Sequence, residues 1–424
     1  MSKKDQQQRV RPGQLFIWLR SHAGLFITLA VFLLLSTFHS TIVPISQGED
    51  ELAHFRYISF IAQNGRLPVN EVEREQAWYR SDWPPLYHLI VGWLITPLDT
   101  TQPQLKDVGE SPRRRLVGEI FYPRLIIYTE DANWPWQGGI LGWRLGRFIS
   151  ILFAGLALVF TYLTMIDLGK ARDNRDRSLT DSAYSSAPND LPALAATALL
   201  AFTPRYLFSS AMLADDSLFI LLSAIFIWLL LRASRGDDRR ALYAGLGLLL
   251  GLSITTKYST GLLPLIIVPV IWWRARQAGW SLRQAWGRLG LAWLFTLLGA
   301  SWWFGWIFYH FNTVKEDGLI VGLLSPLLAA GPDVSMRRVF SWLGGAEFFG
   351  PIRPEAVAEG SFSEWWVYLF QTFWGAPILE HDPLFPWAYL LMVLFCLLAG
   401  FGLWRSWQAA GAQRRFELAI LKVV

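Results

Sequence analysis

Residues 191–231 read LPALAATALLAFTPRYLFSSAMLADDSLFILLSAIFIWLLL, and their only charges are Arg205, Asp215 and Asp216. A helix needs about 20 apolar residues to cross a bilayer. The stretch is about twice that long, so it predicts two spans, with the turn near Thr203-Pro204. Two acids beside such a run are unusual, because a charge near the bilayer centre costs about 3 kcal/mol on insertion scales.

The pattern repeats along the chain. Apolar runs cover Gly24 to Ile45, Trp143 to Asp167, Ala241 to Ile254, Thr260 to Trp273, Gly290 to Phe311 and Phe385 to Trp404. The chain of 424 residues is 53% hydrophobic and 17% charged, against about 25% charged in soluble domains. These features predict an all-α polytopic membrane protein with about eight complete transmembrane helices. Aromatics make up 15% of the chain, with 23 Trp, which suits side chains that favour the membrane interface. The net charge of +5 resides mostly in short loops, so it reports orientation in a bilayer and not nucleic-acid binding. The one cysteine, Cys396, lies in an apolar run and excludes an internal disulfide.

Short loops carrying Lys170, Arg172, Arg175 and Arg177, then Arg232, Arg235, Arg239 and Arg240, then Arg274, Arg276 and Arg283, then Arg405, Arg414 and Arg415 alternate with loops holding only Arg205 and Lys257. The positive-inside rule therefore places residues 1–23 in the cytoplasm of a cell whose inner (plasma) membrane holds the chain. The first run lacks a short core and a small-residue cleavage site, so it reads as an uncleaved helix. Residues 24–415 form the membrane domain. Two long outer loops, residues 46–142 and 312–384, are expected to be ordered and to carry interfacial helices, among them Leu52 to Ile61 and Leu86 to Leu98. Residues 416–424 read as the start of a further helix that the chain cuts off.

Span parity brings three sets of charges to the outer face: Glu49-Asp50-Glu51, Asp215-Asp216 and Lys257. Neighbouring carboxylates suit a general base or a metal site, and also the ordinary task of complementing a helix N-terminus. Asp215 and Asp216 are functional candidates as acids in a membrane segment, or simple caps at the interface. Lys257 suits a lipid phosphate, or snorkelling. His54, His88, His310 and His381 are candidates for acid–base or metal work, without zinc-site spacing. P-loop, dinucleotide-binding and serine-hydrolase motifs are not evident.

The strings GEDELAHFRYISFIAQNGRLP, WPPLYHLIVGWL, WRLGRFISILFAG, TPRYLFSSAMLADDSLF and LSITTKYSTGLLP, in that order, resemble the GT-C superfamily. They are most similar to the branch of bacterial protein O-mannosyltransferases and aminoarabinose lipid A transferases. SWWFGWIFYHFN and FQTFWGAP add later landmarks. The resemblance implies a GT-C-like helical bundle that transfers a sugar from a polyprenyl-phosphate donor, at the outer face, to a lipid, glycan or protein acceptor. It implies Asp50 and Glu51 as catalytic acids, and Arg147, Lys257 and His54 as donor-binding residues. A divalent metal ion on Asp50 and Asp216 is a further expectation. Ser81-Asp82-Trp83 stand where lipid A transferases place a lysine before the Pro-Pro pair. A lipid-linked sugar transporter and a non-catalytic subunit of a membrane complex are the competing readings. A transporter calls for charges along a path through the bilayer rather than at one face.

Overall fold

The computed structural model describes residues 22–48, 50–78, 81, 83–101, 106–110, 124–127, 132–176, 190–258, 260, 263–311, 370, 373–374 and 386–423. Apart from residues 370 and 373–374 the second long loop lies outside them, as do His381 and Glu49. Its helices are α1 (Ala23–Ile42), α2 (Glu51–Asn64), α3 (Glu71–Ala77), α4 (Leu86–Ile95), α5 (Gly138–Asp176), α6 (Leu191–Ala201), α7 (Pro204–Ser210), α8 (Asp216–Ser234), α9 (Arg240–Ile254), α10 (Pro264–Ala278), α11 (Leu282–Phe311), α12 (Pro386–Ala409) and α13 (Ala412–Val423).

The chain is a helical, multi-pass membrane protein. Five helices are long and apolar enough to cross: α1, most of α5, α8, α11 and most of α12. Counted as one span, the bent pair α6–α7 makes a sixth. Helices α9 and α10 fill the remaining two places of the expected eight, but each has 15 residues, short of the usual span. Helix α5 has 39 residues, or about 58 Å, and so projects beyond a hydrocarbon core.

Three expectations need correction. Pro204 does open a new helix, its missing N–H costing nothing at that position. Yet the chain bends there by only 64° and continues as α7. The acids Asp215 and Asp216 come after a second break, over residues 211–215, and Asp216 opens α8. Helix α2 is not a surface helix: Ala53, His54, Phe55, Tyr57, Ile58, Phe60 and Ile61 are all buried, so both of its faces are covered. The first long loop also holds an antiparallel ribbon, β1 (Lys106–Glu110) with β2 (Arg124–Ile127), where Lys106 pairs with Ile127.

Several contacts hold the described part of the first loop. Asn70 caps α3 by accepting from Glu73 N–H at 2.9 Å. Arg66 holds Glu73 through two hydrogen bonds of 2.7 and 2.9 Å. Trp306 of α11 donates to the Pro68 carbonyl at 3.2 Å, and Trp303 packs on Tyr57, Phe60, Ile61, Leu67 and Leu89. Leu86 N–H donates to the Thr255 carbonyl at 2.9 Å, tying α4 to the end of α9.

Helices α9 and α11 meet through backbone. A Cβ on Gly247 would stand 2.0 Å from the Ala292 carbonyl oxygen, and one on Gly251 would stand 2.5 Å from that of Thr296. Small residues let helices approach this closely, which is how packing is gained where lipid removes the usual hydrophobic drive.

The bundle has two chemically different ends. At one, Arg235 grips Glu417 of α13 through two hydrogen bonds of 2.8 Å, and Arg274 grips Asp238 at 2.9 and 2.8 Å. Arg232 and Arg239 pair with Asp237 nearby. Phe416, Leu418 and Ile420 of α13 turn inward or partly inward, so residues 412–423 form an amphipathic helix docked on α8 and α10. The other end gathers the acids and Lys257.

Candidate active site

The loop after α1 turns twice through the left-handed region, at Ser46 (φ 66°) and at Asp50 (φ 56°). Asp tolerates that conformation better than most residues, and the turn aims the chain into α2. Asp50 is exposed, and its side chain does not cap α2. Its carbonyl instead accepts from Ala53 and His54 N–H at 2.9 and 3.1 Å.

Glu51, the next residue, is sealed in. Arg147 of α5 donates to it through Nε and Nη2, each at 2.7 Å. Trp143 Nε1 adds 3.2 Å, Leu213 N–H 2.8 Å and Gly48 N–H 3.2 Å. Both side chains of the ion pair are 0% exposed. Burial pushes the Glu51 carboxyl up, but the Arg147 charge, its hydrogen bonds and those of Leu213 and Trp143 outweigh this and hold it below the ordinary carboxylate range. Arg147 also donates to the carbonyls of Ser40, Val43 and Pro44 at 2.7, 2.8 and 2.8 Å. Arg144 donates to the Ser40 carbonyl as well. A buried carboxylate with every oxygen engaged is a poor proton acceptor for a substrate. This geometry makes Glu51 and Arg147 a clamp on the loop that carries Asp50.

The second acidic string adjoins the first. Leu213, which donates to Glu51, lies in the break just before Asp215. A Cβ on Gly48 would touch Met212 at 3.0 Å, so the segments 43–48 and 211–215 pack on each other. Lys257 Nζ donates to Asp216 Oδ1 at 2.7 Å and stands 3.8 Å from Asp215 Oδ1. Asp215 is buried, whereas Asp216 is 41% exposed. Arg205 and His54 lie within electrostatic reach of Asp216.

All six site residues expected from the sequence thus fall at one end of the bundle: Asp50, Glu51, His54, Arg147, Asp216 and Lys257. The metal expectation fares differently. Among the described residues no three His, Cys, Asp or Glu side chains gather as a metal site. The Asp216 carboxylate faces an ammonium at 2.7 Å, where a divalent ion would meet repulsion. Among the described residues, the side chains do not fit a metal on Asp50 and Asp216.

Sequence reasoning missed the partner of His54. His54 Nδ1 and His88 Nε2 are 2.8 Å apart, both rings are buried, and they lie 13° from parallel. The only local signal was a histidine after the Pro84-Pro85 pair. His39 bonds to the Leu35 carbonyl one turn back, and His310 packs on Trp306; neither joins the cluster described above.

Residues 188–304 match the family model described as dolichyl-phosphate-mannose-protein mannosyltransferase. The match is a minority of the chain, yet it spans α6 to α11 and contains Asp215, Asp216 and Lys257. It supports the GT-C superfamily and a membrane glycosyltransferase of GT-C type; the chain is similar to that family in this stretch. No curated protein sequence matches the chain.

Proposed function

We propose that the protein transfers a sugar from a polyprenyl-phosphate donor to an acceptor hydroxyl, at the outer face of the inner membrane. The observation that carries this reading is the packing of the loop that bears the exposed Asp50 against the loop that leads into the Asp216–Lys257 ion pair, the second lying in the family-matched stretch. The outer-face assignment rests on the arginine-rich opposite end.

Attack on the anomeric carbon needs an activated hydroxyl on one side and a stabilised leaving phosphate on the other. Asp50 is the base: exposed, and fixed in place by the clamp beneath it. It takes the acceptor proton as the new C–O bond forms. The bond from the anomeric carbon to the phosphate oxygen breaks, and its electron pair stays on the phosphate. Lys257 stabilises that charge, and Asp216 orients the Lys257 ammonium. In-line attack inverts the anomeric carbon. Glu51 and Arg147 act through the loop and not on the substrate. The lipid tail remains in the bilayer, which explains a site at the bundle's end. The gathering of these charges at one end favours an enzyme over a transporter.

The test is transfer from tritiated dolichyl-phosphate mannose and from undecaprenyl-phosphate sugars by the purified chain, with membrane extract as acceptor source. Lys257→Gln should raise the KM for donor at least tenfold. The double variant Lys257→Gln/Asp216→Asn should regain part of the lost stability, because Asp216 no longer presents a charge to an uncharged partner while Asp215 still does, but not donor affinity. Normal donor affinity in both variants would remove Lys257 from the assignment.

A further inference from the structure

A short turn, residues 279–281, joins α10 to α11 at the arginine-rich end, and its backbone is pinned on both sides. Helix α10 ends on Gly279, whose φ of 64° is the left-handed stop that glycine adopts freely. Helix α11 starts from a reciprocal cap. Gln284 N–H donates to Ser281 Oγ at 3.3 Å, and Ser281 N–H donates to Gln284 Oε1 at 3.0 Å. The inner side of this hairpin is occupied. Ala275, Ala285 and Leu289 belong to the buried core, with Trp280 packed against it. Arg288 lies over the Trp280 ring at 3.7 Å, and Arg274 holds Asp238.

The outer side is different. Trp272 of α10 and Trp286 of α11 meet edge to face, ring centres 6.5 Å apart, and are 37% and 56% exposed. Arg276 follows Trp272 by four residues, and Arg283 precedes Trp286 by three. Each arginine therefore shares a helix face with its tryptophan. Both stand nearer the turn than the ring pair, by about 4.5–6 Å of helix rise. Both are exposed. The acids of this end are already taken: Asp237 by Arg232 and Arg239, Asp238 by Arg274, and Glu417 by Arg235. Among the described residues no carboxylate pairs with Arg276 or Arg283.

We propose that this face binds the phosphodiester headgroup of an anionic phospholipid in the leaflet at the arginine-rich end. Tryptophan rings settle where acyl chains meet headgroups. With the Trp272–Trp286 pair at that depth, Arg276 and Arg283 stand one step farther out, at the level of the phosphates. A guanidinium offers paired N–H donors that match two phosphate oxygens. Two cations without a counter-charge favour a headgroup of net negative charge over a zwitterionic one, whose own cation they repel. The pinned turn holds the two arginines on one surface, so the lipid meets a site already formed. A basic residue at an anionic surface is worth about fivefold in binding, so two are worth about 30-fold. The site lies at the opposite end from the acids and Lys257, and its assignment does not depend on the sugar-transfer reading.

Native mass spectrometry of the full chain in detergent, titrated with phosphatidylglycerol or with phosphatidylcholine of the same acyl chains, gives the Kd for the first lipid bound. The parent should bind phosphatidylglycerol at least tenfold more tightly than phosphatidylcholine. Arg276→Gln/Arg283→Gln should weaken phosphatidylglycerol at least tenfold and leave phosphatidylcholine within twofold. Arg276→Lys/Arg283→Lys, which keeps both charges, should recover most of the loss. Arg239→Gln/Arg240→Gln removes two charges from the same end, away from the tryptophan pair, and leaves Asp237 its bond to Arg232; it should change the Kd less than twofold. Equal loss in the two glutamine doubles would mean that net charge alone attracts the lipid, and would overturn the site. So would an unchanged Kd in Arg276→Gln/Arg283→Gln. Lys257→Gln checks the other end: a loss there in place of the arginine double would put the lipid phosphate at Lys257 and also overturn the site.

Discussion

Arg147 and Glu51, separated by 96 residues in sequence, face each other through two hydrogen bonds of 2.7 Å with neither side chain exposed. The guanidinium spends its remaining donors on three carbonyls at the end of α1 and just after it. One cation thus joins α1, α2 and α5, and Leu213 brings the loop before α8 to the same carboxylate.

Breaking that pair should unfold the site before it alters any chemistry. Arg147→Lys loses the forked geometry, and Glu51→Gln leaves a buried guanidinium without its counter-charge. Breaking a buried pair costs about 3–5 kcal/mol, so both variants should lose monodispersity at clearly lower temperature in detergent. The pH dependence has a definite sign. The Glu51 carboxyl is held down in the folded state, so its contribution is complete above the unfolded carboxylate value and falls away in acid, below that range. The gap in thermal stability between parent and Glu51→Gln should be flat through neutral pH and narrow only in acid.

Asp50→Asn should separate chemistry from folding. The residue is exposed, and Asn accepts the same left-handed backbone, so thermal stability should stay within about 0.5 kcal/mol. Transfer should drop by about 10²–10⁴-fold, the usual worth of a general base. A rate within a few fold of the parent would pass the role to another acid.

The contact between α9 and α11 offers a test of packing without charge. Gly247→Ala drives a methyl against the Ala292 carbonyl, and Gly251→Ala drives one against Thr296 and Gly299. Overpacking costs about 1–3 kcal/mol, so both should lower the temperature of aggregation. Gly245→Ala, on the same helix with open space around it, is the control and should be neutral or slightly stabilising. Equal behaviour of the three would refute the close approach.

Orientation is open to direct labelling. In a Cys396→Ser background, a cysteine at Thr101 should react with an impermeant maleimide in intact cells. A cysteine at Ala412 should react only after lysis. Both positions are exposed, and the second lies with Arg235 and Glu417 at the arginine-rich end. The reverse pattern would turn the molecule over.

Composition and apolar run length made the helical bundle legible, because a bilayer demands them. Parity went further and brought Asp216 and Lys257 to one end, where they are in contact. Helix limits were less legible. Helix α11 begins at Leu282 and not near Gly290, since a helix need not stop where the apolar residues do, and Arg283 and Arg288 ride on its first turns. The apolar loop segment that became α2 resembled an interfacial helix because its polar residues, Glu51, His54 and Ser59, are buried in contacts that no local pattern displays. The expected roles of Glu51 and Arg147 came from residue type, but their mutual saturation depends on partners about a hundred residues away.

That separation has a consequence for how the protein is made. Glu51 leaves the ribosome 96 residues before Arg147 and 162 before Leu213. At about 5–20 residues per second, the first interval is on the order of ten seconds. Through that time the end of α1 lacks the cation that closes its last carbonyls, so the turn bearing Asp50 takes its final form only once α5 has entered the bilayer. The nascent chain therefore emerges with its most reactive corner unmade, and the arrival of a later helix finishes it.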